Sequence, residues 1–317
     1  MFCENLRRDG PHGNIYVINQ QPKNEVRTMT GLNWISKIQT HEVQHFSQGM
    51  QDGVIDFIIE NIEIRHNYCI EFGFDSNGWE DCLPNTKHLV QKRNWDHLLI
   101  DGNCHNPEIN LHQHFITSSN ICDLFQQHGV PKEPGFISVD LDSTDIWVTD
   151  AMLENYRPSF FCVEFNPNFP IDAPMAFPND SDEFWQFDRV MGSSLKALSM
   201  MANKHGYSLV YAGCYSTSKH HDAFFIRDDL IDLSQVPPLE NFADTHVPLH
   251  AVCINGRENI YMNYEVWMDT QNVELSKKAV LKSWKKHISG TVLQRLNRKR
   301  KMLIRTISLR LRGGLQP

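Results

Sequence analysis

Within six residues, Asp140-Leu141-Asp142-Ser143-Thr144-Asp145, the chain places three carboxylates. Crowding like charges is costly unless a cation or hydrogen-bond donors compensate. Glu164 and Asn166 close a later apolar run. Asp140, Asp142, Glu164 and Asn166 together offer four hard oxygen donors, a set suited to Mg2+ or another divalent cation such as calcium. A cation held there would lower the pKa of a hydroxyl, which makes Asp140 and Asp142 the expected catalytic carboxylates. Substrate hydrogen bonding, or capping of the helix that follows, is the other use of the same residues. His221, beside His220 in a polar stretch, is a candidate general base because imidazole titrates near neutral pH. With 16 histidines in the chain, an unemployed loop histidine is the other reading.

A second group follows the first apolar run: Glu71-Phe72-Gly73-Phe74-Asp75-Ser76-Asn77-Gly78. It lacks the G-x-G-x-x-G turn on which a dinucleotide pyrophosphate sits, so nicotinamide and flavin dinucleotides are disfavoured. A ligand without phosphate tolerates an acidic residue there. S-adenosylmethionine is such a ligand, and a carboxylate could meet its amino group. Asp101 stands 28 residues after Gly73 at the end of the next apolar run. A carboxylate there can accept from both hydroxyls of a ribose.

These residues need a scaffold that brings run ends together. Strands are expected at Tyr68–Gly73, His97–Ile100, His114–Thr117, Phe136–Val139, Phe160–Phe165, Tyr207–Tyr211 and Ala223–Arg227. Helical periods separate most of them, with Asp52 as the expected N-cap of a helix over Val54, Ile55, Ile58 and Ile62. Alternating strands and helices predict a parallel sheet covered on both faces. The last two runs have no crossover helix between them and should pair antiparallel. The expectation is an α/β, Rossmann-like fold of the class I methyltransferase type, with seven mostly parallel strands and an antiparallel last strand. Residues 1–45 read as an N-terminal extension, 46–268 as the methyltransferase-like domain and 269–317 as a basic, helical tail. Asn168 to Trp185, rich in Pro, Phe and Trp, reads as a long insertion closing over a substrate.

Charge is unevenly spread. From Lys277 onward there are 13 Lys and Arg and no Asp or Glu, which leaves 17 basic against 38 acidic residues before it. A basic amphipathic tail can meet anionic membrane, nucleic acid or the acidic body itself. The start of the chain lacks the apolar stretch of a secretory signal, and its eight cysteines form no C-x-x-C pair. A reducing, cytoplasmic setting is expected.

The ordered motifs resemble those of FkbM-like S-adenosylmethionine-dependent methyltransferases, over roughly residues 45–230. The segments that carry the resemblance are Ser47 to Gly53, Cys69 to Gly73, Asn85-Thr86, Trp95 to Gly102, Ser119 to Phe125, Ser138 to Trp147, Val163 to Asn166, Gly192 to Leu195, Gly206 to Val210 and Asp222 to Arg227. The chain departs from the pattern at Ser143, where the family has Gly, and at Asp222, where it has Asn. The resemblance implies methyl transfer to a hydroxyl of a small molecule or glycan. Candidate cofactor-binding residues are then Glu71, Gly73, Asp75, Asn85, Thr86, Asp101, Asn120 and Asp140. An RNA-modifying methyltransferase recruited by the basic tail, and a non-catalytic Rossmann-like interaction module, are the alternatives. Oligomeric state is not encoded in any of these features.

Overall fold

The computed structural model describes residues 33–179, 190–214, 221–245 and 260–288. Helix α1 (Gln51–Asn61) is followed by strand β1 (Tyr68–Phe72), helix α2 (Lys87–Arg93), β2 (Asp96–Asp101) and β3 (Leu111–Gln113). Then come α3 (Ile121–Gln127), β4 (Phe136–Val139), α4 (Asp145–Leu153), β5 (Phe160–Glu164) and the two-residue β6 (Met175–Ala176). The chain continues through α5 (Leu195–Lys204), β7 (Tyr207–Cys214), β8 (His221–Arg227), β9 (Met262–Asn263), α6 (Tyr264–Thr270) and α7 (Val273–Ile288).

Seven strands form one sheet in the order β3-β2-β1-β4-β5-β8-β7. All pairings are parallel except those of β8, which runs antiparallel to β5 and to β7. Because β4 crosses to the far side of β1, the order reverses between β1 and β4. Loops leaving these two strands diverge, and the crevice between them is where open α/β sheets bind ligands. The period-2 alternation of strand side chains supplies both faces of the core. Ile70, Phe72, Ile137, Val139, Phe161 and Val163 pack on one face with α3, α4 and α5. Cys69, Phe136, Phe160, Cys162 and Phe224 pack on the other with Val54, Ile55 and Ile58 of α1 and Leu89 of α2. Each such fully buried side chain contributes about 1.5–3 kcal/mol of transfer free energy. β6 and β9 pair as a separate antiparallel ribbon.

Several expectations change. The third strand lies at Leu111–Gln113, just before the predicted His114–Thr117. Its register is set by β2, which pairs Leu99 with Leu111 and Asp101 with Gln113. Only Leu111 of the three is buried, so an edge strand with one apolar contact left no periodic signal. Asp52 is no N-cap: it lies inside α1, where its Oδ2 accepts from His45 N, Phe46 N, Ser47 N and Ser47 Oγ. The core also begins earlier than residue 46, since Trp34, Ile35 and Ile38 are buried against α1. Within the insertion, Phe169, Met175 and Phe177 pack with Val190, Tyr261 and Val280 and so fasten to the body. Residues 180–185 of that insertion, His220 and the basic stretch beyond Ile288 lie outside the described residues. Among the described residues, no helix is long and apolar enough to cross a membrane.

Candidate active-site cleft

The ends of β1, β2, β4, β5 and β8 enclose two chambers that share one residue, Gly73. The larger, about 590 Å3, is lined by Gly73, Ile100, Asp101, Phe115, Ile116, Leu141 and neighbours of the 114–119 loop. The smaller, about 200 Å3, is polar and acidic, lined by Gln48, Gln51, Glu71, Asp75, Asp81, Asn85, Asp140, Glu164 and Asp222 among others. Gly73 has φ of +73°, and a Cβ built on it would lie 2.2 Å from the Asp140 carbonyl oxygen. Only glycine fits this backbone, for conformation and for space. The close approach sets the ends of β1 and β4 side by side and opens both chambers from one point. Asp75 and Asp142 also have positive φ, +51° and +59°. Aspartate is among the few residues that take this region readily; Asp75 lines the small chamber, and Asp142 converges on Asp140 and Glu164.

Hydrogen bonds sort the predicted cofactor residues into those that face the cleft and those that shape it. Glu71 is buried, and its two oxygens accept from Asn85 N at 3.2 Å and Thr86 N at 2.8 Å. It therefore ties β1 to the start of α2 while it lines the small chamber. Burial pushes its pKa up to about 7, against the hydrogen bonds from Thr86 and Ser138, which lower it. Thr86 is fully buried and supports the turn from behind. Asn85 lines the small chamber while its side chain donates to Ser138 Oγ. Asp101 borders the large chamber, yet its Oδ1 accepts from Asn103 N and Cys104 N and its Oδ2 from Asp75 N at 2.9 Å. Each carboxylate oxygen has two acceptor sites, so Oδ2 keeps one to offer a hydroxyl. Asn120 lines neither chamber. It accepts from Thr117 N and donates to Phe115 O, which folds the 115–120 loop. Phe115 itself, 69% exposed, stands at the chamber wall instead.

Three of the four predicted metal ligands converge. Oxygens of Asp140, Asp142 and Glu164 lie within 4.8 Å of one another. The fourth does not join them: Asn166 is fully buried, its Nδ2 donates to Met191 O and Tyr261 Oη, and its Oδ1 accepts twice from Asn168. It anchors the 166–169 turn to Tyr261. Asp222, paired with Glu164 across β5 and β8, lines the small chamber and accepts from Gln51 Nε2 at 2.6 Å. Asp140 is held well above the ordinary carboxylate range by burial, then by Asp142, Asp145, Asp222 and Glu71. Glu164 is raised by burial, then by Asp140, Asp142, Asp145 and Asp222. Its Oε2 is buried without a hydrogen-bond partner. Asp142 is raised by burial and by Asp75. Asp145 is raised to about 7 by burial, although its oxygens accept from Leu141 N and Ser143 N. It braces the loop and is not a ligand.

The predicted base His221 does not reach this cleft. Its ring packs near Phe165, and it lines neither chamber. Successive strand residues point to opposite faces, so only one of His221 and Asp222 can face the small chamber, and Asp222 does. Gln51 and Gln48 were not anticipated as lining residues. Their signal lay in the Ser47 to Gly53 motif, read only as a resemblance.

The strand order, the single antiparallel strand and a cleft at the β1–β4 crossover define a Rossmann-like α/β fold of the class I methyltransferase type. No family model matches the chain, and no curated protein matches it. Among solved structures it is similar to the MycE methyltransferase from the mycinamycin biosynthetic pathway, in complex with Mg, SAH and mycinamycin VI. That similarity has 12% identity and a TM-score of 0.32, and covers 52% of this chain and 46% of that one. The chain thus spans less than half the length of that enzyme. The fold assignment rests on the strand order.

Proposed function

We propose that this chain is an S-adenosylmethionine-dependent methyltransferase, in keeping with its FkbM-like motifs, that methylates a hydroxyl of a small molecule or glycan. The observation that carries the reading is the two-chambered cleft joined at Gly73. A nucleoside fits the larger chamber, with Asp101 offering Oδ2 to a ribose hydroxyl and Phe115 offering a ring face. The donor's reacting end would then lie at Gly73, facing the small chamber. The side chains there suit an acceptor rich in hydroxyls, because Gln48, Gln51 and Asn85 bring amides and Asp75 and Asp81 bring acceptors.

In this reading the acceptor hydroxyl binds against Asp140 and Glu164. Their raised affinity for protons matches a group that must take one as the oxygen attacks. The cluster also fits a divalent cation. Three carboxylates converge, the charges acting on Asp140 and Glu164 are all carboxylates, and Glu164 Oε2 is buried without a partner. Mg2+ at Asp140, Asp142 and Glu164 would acidify a bound hydroxyl and neutralise the cluster. Asp222 and Gln51 would keep Glu164 in place from the β8 side.

Calorimetry with S-adenosylmethionine and its demethylated product tests the first part. Absence of heat with both would overturn it. Methyl transfer to hydroxylated acceptor pools, with and without EDTA, tests the second. Activity is expected to fall with EDTA, to return with Mg2+, and to be lost in Glu164→Gln. Full activity in EDTA would leave proton transfer to the carboxylates alone and end the cation reading.

A further inference from the structure

The free edge of the sheet carries three imidazoles that face one another. His112 lies on the edge strand β3, and His114 follows on the same side, two residues on. His128 ends α3 as its C-cap. The Nε2 atoms of His114 and His128 are 2.9 Å apart, and the His112 and His128 rings are 4.1 Å apart between centroids. One ring nitrogen from each of the three lies within 4.8 Å of the other two.

A neighbouring amide sets the tautomer of His112. Asn110 Nδ2 donates to His97 O, which turns its Oδ1 toward His112 Nε2 at 2.8 Å. An amide oxygen only accepts, so the proton sits on Nε2 and the lone pair on Nδ1. A hydrogen bond of this kind fixes the tautomer and orientation of metal-binding histidines.

We propose that His112, His114 and His128 form a binding site for a transition-metal ion of the Zn2+ type. Imidazole nitrogens bind zinc at about 2.0–2.1 Å, and in a tetrahedral site they lie roughly 3.3 Å apart. The His114–His128 pair, hydrogen-bonded at 2.9 Å, would open to that spacing on binding, and His112 supplies the third nitrogen. The rings are half-buried, so water can fill the fourth position. Nitrogen donors favour Zn2+ or Co2+, whereas the carboxylates across the cleft favour Mg2+. His114 also lines the larger chamber, so the ion would brace that wall by joining β3 to the end of α3.

Metal-stripped full-length protein, titrated with Co2+ in excess Mg2+, tests the site. One equivalent is expected to give the strong visible absorption of tetrahedral cobalt, bleached by one equivalent of Zn2+. The absorption should vanish in His112→Ala and in His128→Gln and persist in Asp142→Asn. His128→Gln sits at a partly exposed helix end and keeps the test if His112→Ala fails to fold. Absence of tetrahedral absorption, its survival in the histidine variants, or its loss only in Asp142→Asn would overturn the proposal. None of these readings depends on methyl transfer.

Discussion

Burying acidic groups at the cleft makes the fold's stability depend on pH in a definite direction. Glu71 and Asp145 are 5% and 1% exposed, and both titrate at about 7 in the folded chain, against 4.5 and 3.8 when unperturbed. Between these limits the folded state holds a proton that the unfolded chain has released. Their contribution is therefore fully present below about pH 4 and is lost as pH rises toward 7. A group in that window changes stability by about 1.4 kcal/mol per pH unit, so the two together give a fall of roughly 2.7 kcal/mol per unit between about pH 5 and pH 6.5. Asp140 and Glu164, raised by the same causes, steepen it. His112 and His128 are lowered and act in the opposite sense, but they are half-buried and soften the slope without reversing it. Urea unfolding in EDTA at several pH values measures the slope directly. Asp145→Asn and Glu71→Gln should each lower it by about 1.4 kcal/mol per pH unit, whatever they do to absolute stability. Mg2+ should restore about 2.7 kcal/mol at pH 7 when present at about a hundred times its dissociation constant. Stability that is flat or rises from pH 5 to 6.5, or equal slopes in all three proteins, would refute the electrostatic account of the cleft.

Two further outcomes follow from contacts at the chamber junction. Gly73→Ala forces a Cβ against the Asp140 carbonyl at a left-handed backbone, a combined cost of about 2–5 kcal/mol from conformation and overpacking. Thermal unfolding should fall accordingly, and donor binding with it; a melting temperature within about 2 °C of the parent's would show that β1 and β4 do not need this approach. Asp101→Ala removes the acceptor of three backbone N–H groups, so it should cost about 1–3 kcal/mol of stability and at least tenfold in donor affinity by calorimetry. Unchanged affinity in a destabilised protein would make Asp101 a brace for the Asp75 turn and nothing more.

The strand ends were legible in the sequence because buried strands are continuous apolar runs, and the antiparallel pair was legible because no helix separates Tyr207 from Arg227. The β3 edge strand was not, since one buried leucine among polar neighbours has no period to detect. Residues 34–41 were not legible for a related reason: a seven-residue 3-10 helix, capped by Trp34 and burying Ile35 and Ile38, is too short to show periodicity.

Site residues were harder to read than the fold, for a physical reason. Sequence position puts a carboxylate at the end of a strand, but it does not say which backbone N–H groups will claim it. Glu71, Asp101 and Asp145 are claimed by loops, while Glu164 keeps an oxygen without a partner. A buried acceptor that nothing satisfies costs about 1–3 kcal/mol, more when charged. The loops supply donors for Glu71, Asp101 and Asp145, and the Glu164 oxygen that has none is open to a partner that arrives later. A cation or the proton of an acceptor hydroxyl would each meet that need, and the response of Glu164→Gln to Mg2+ separates them. If Mg2+ raises the melting temperature of the parent and not of the variant, the cation is the partner. If neither protein responds while acidification stabilises the parent more than the variant, the proton is.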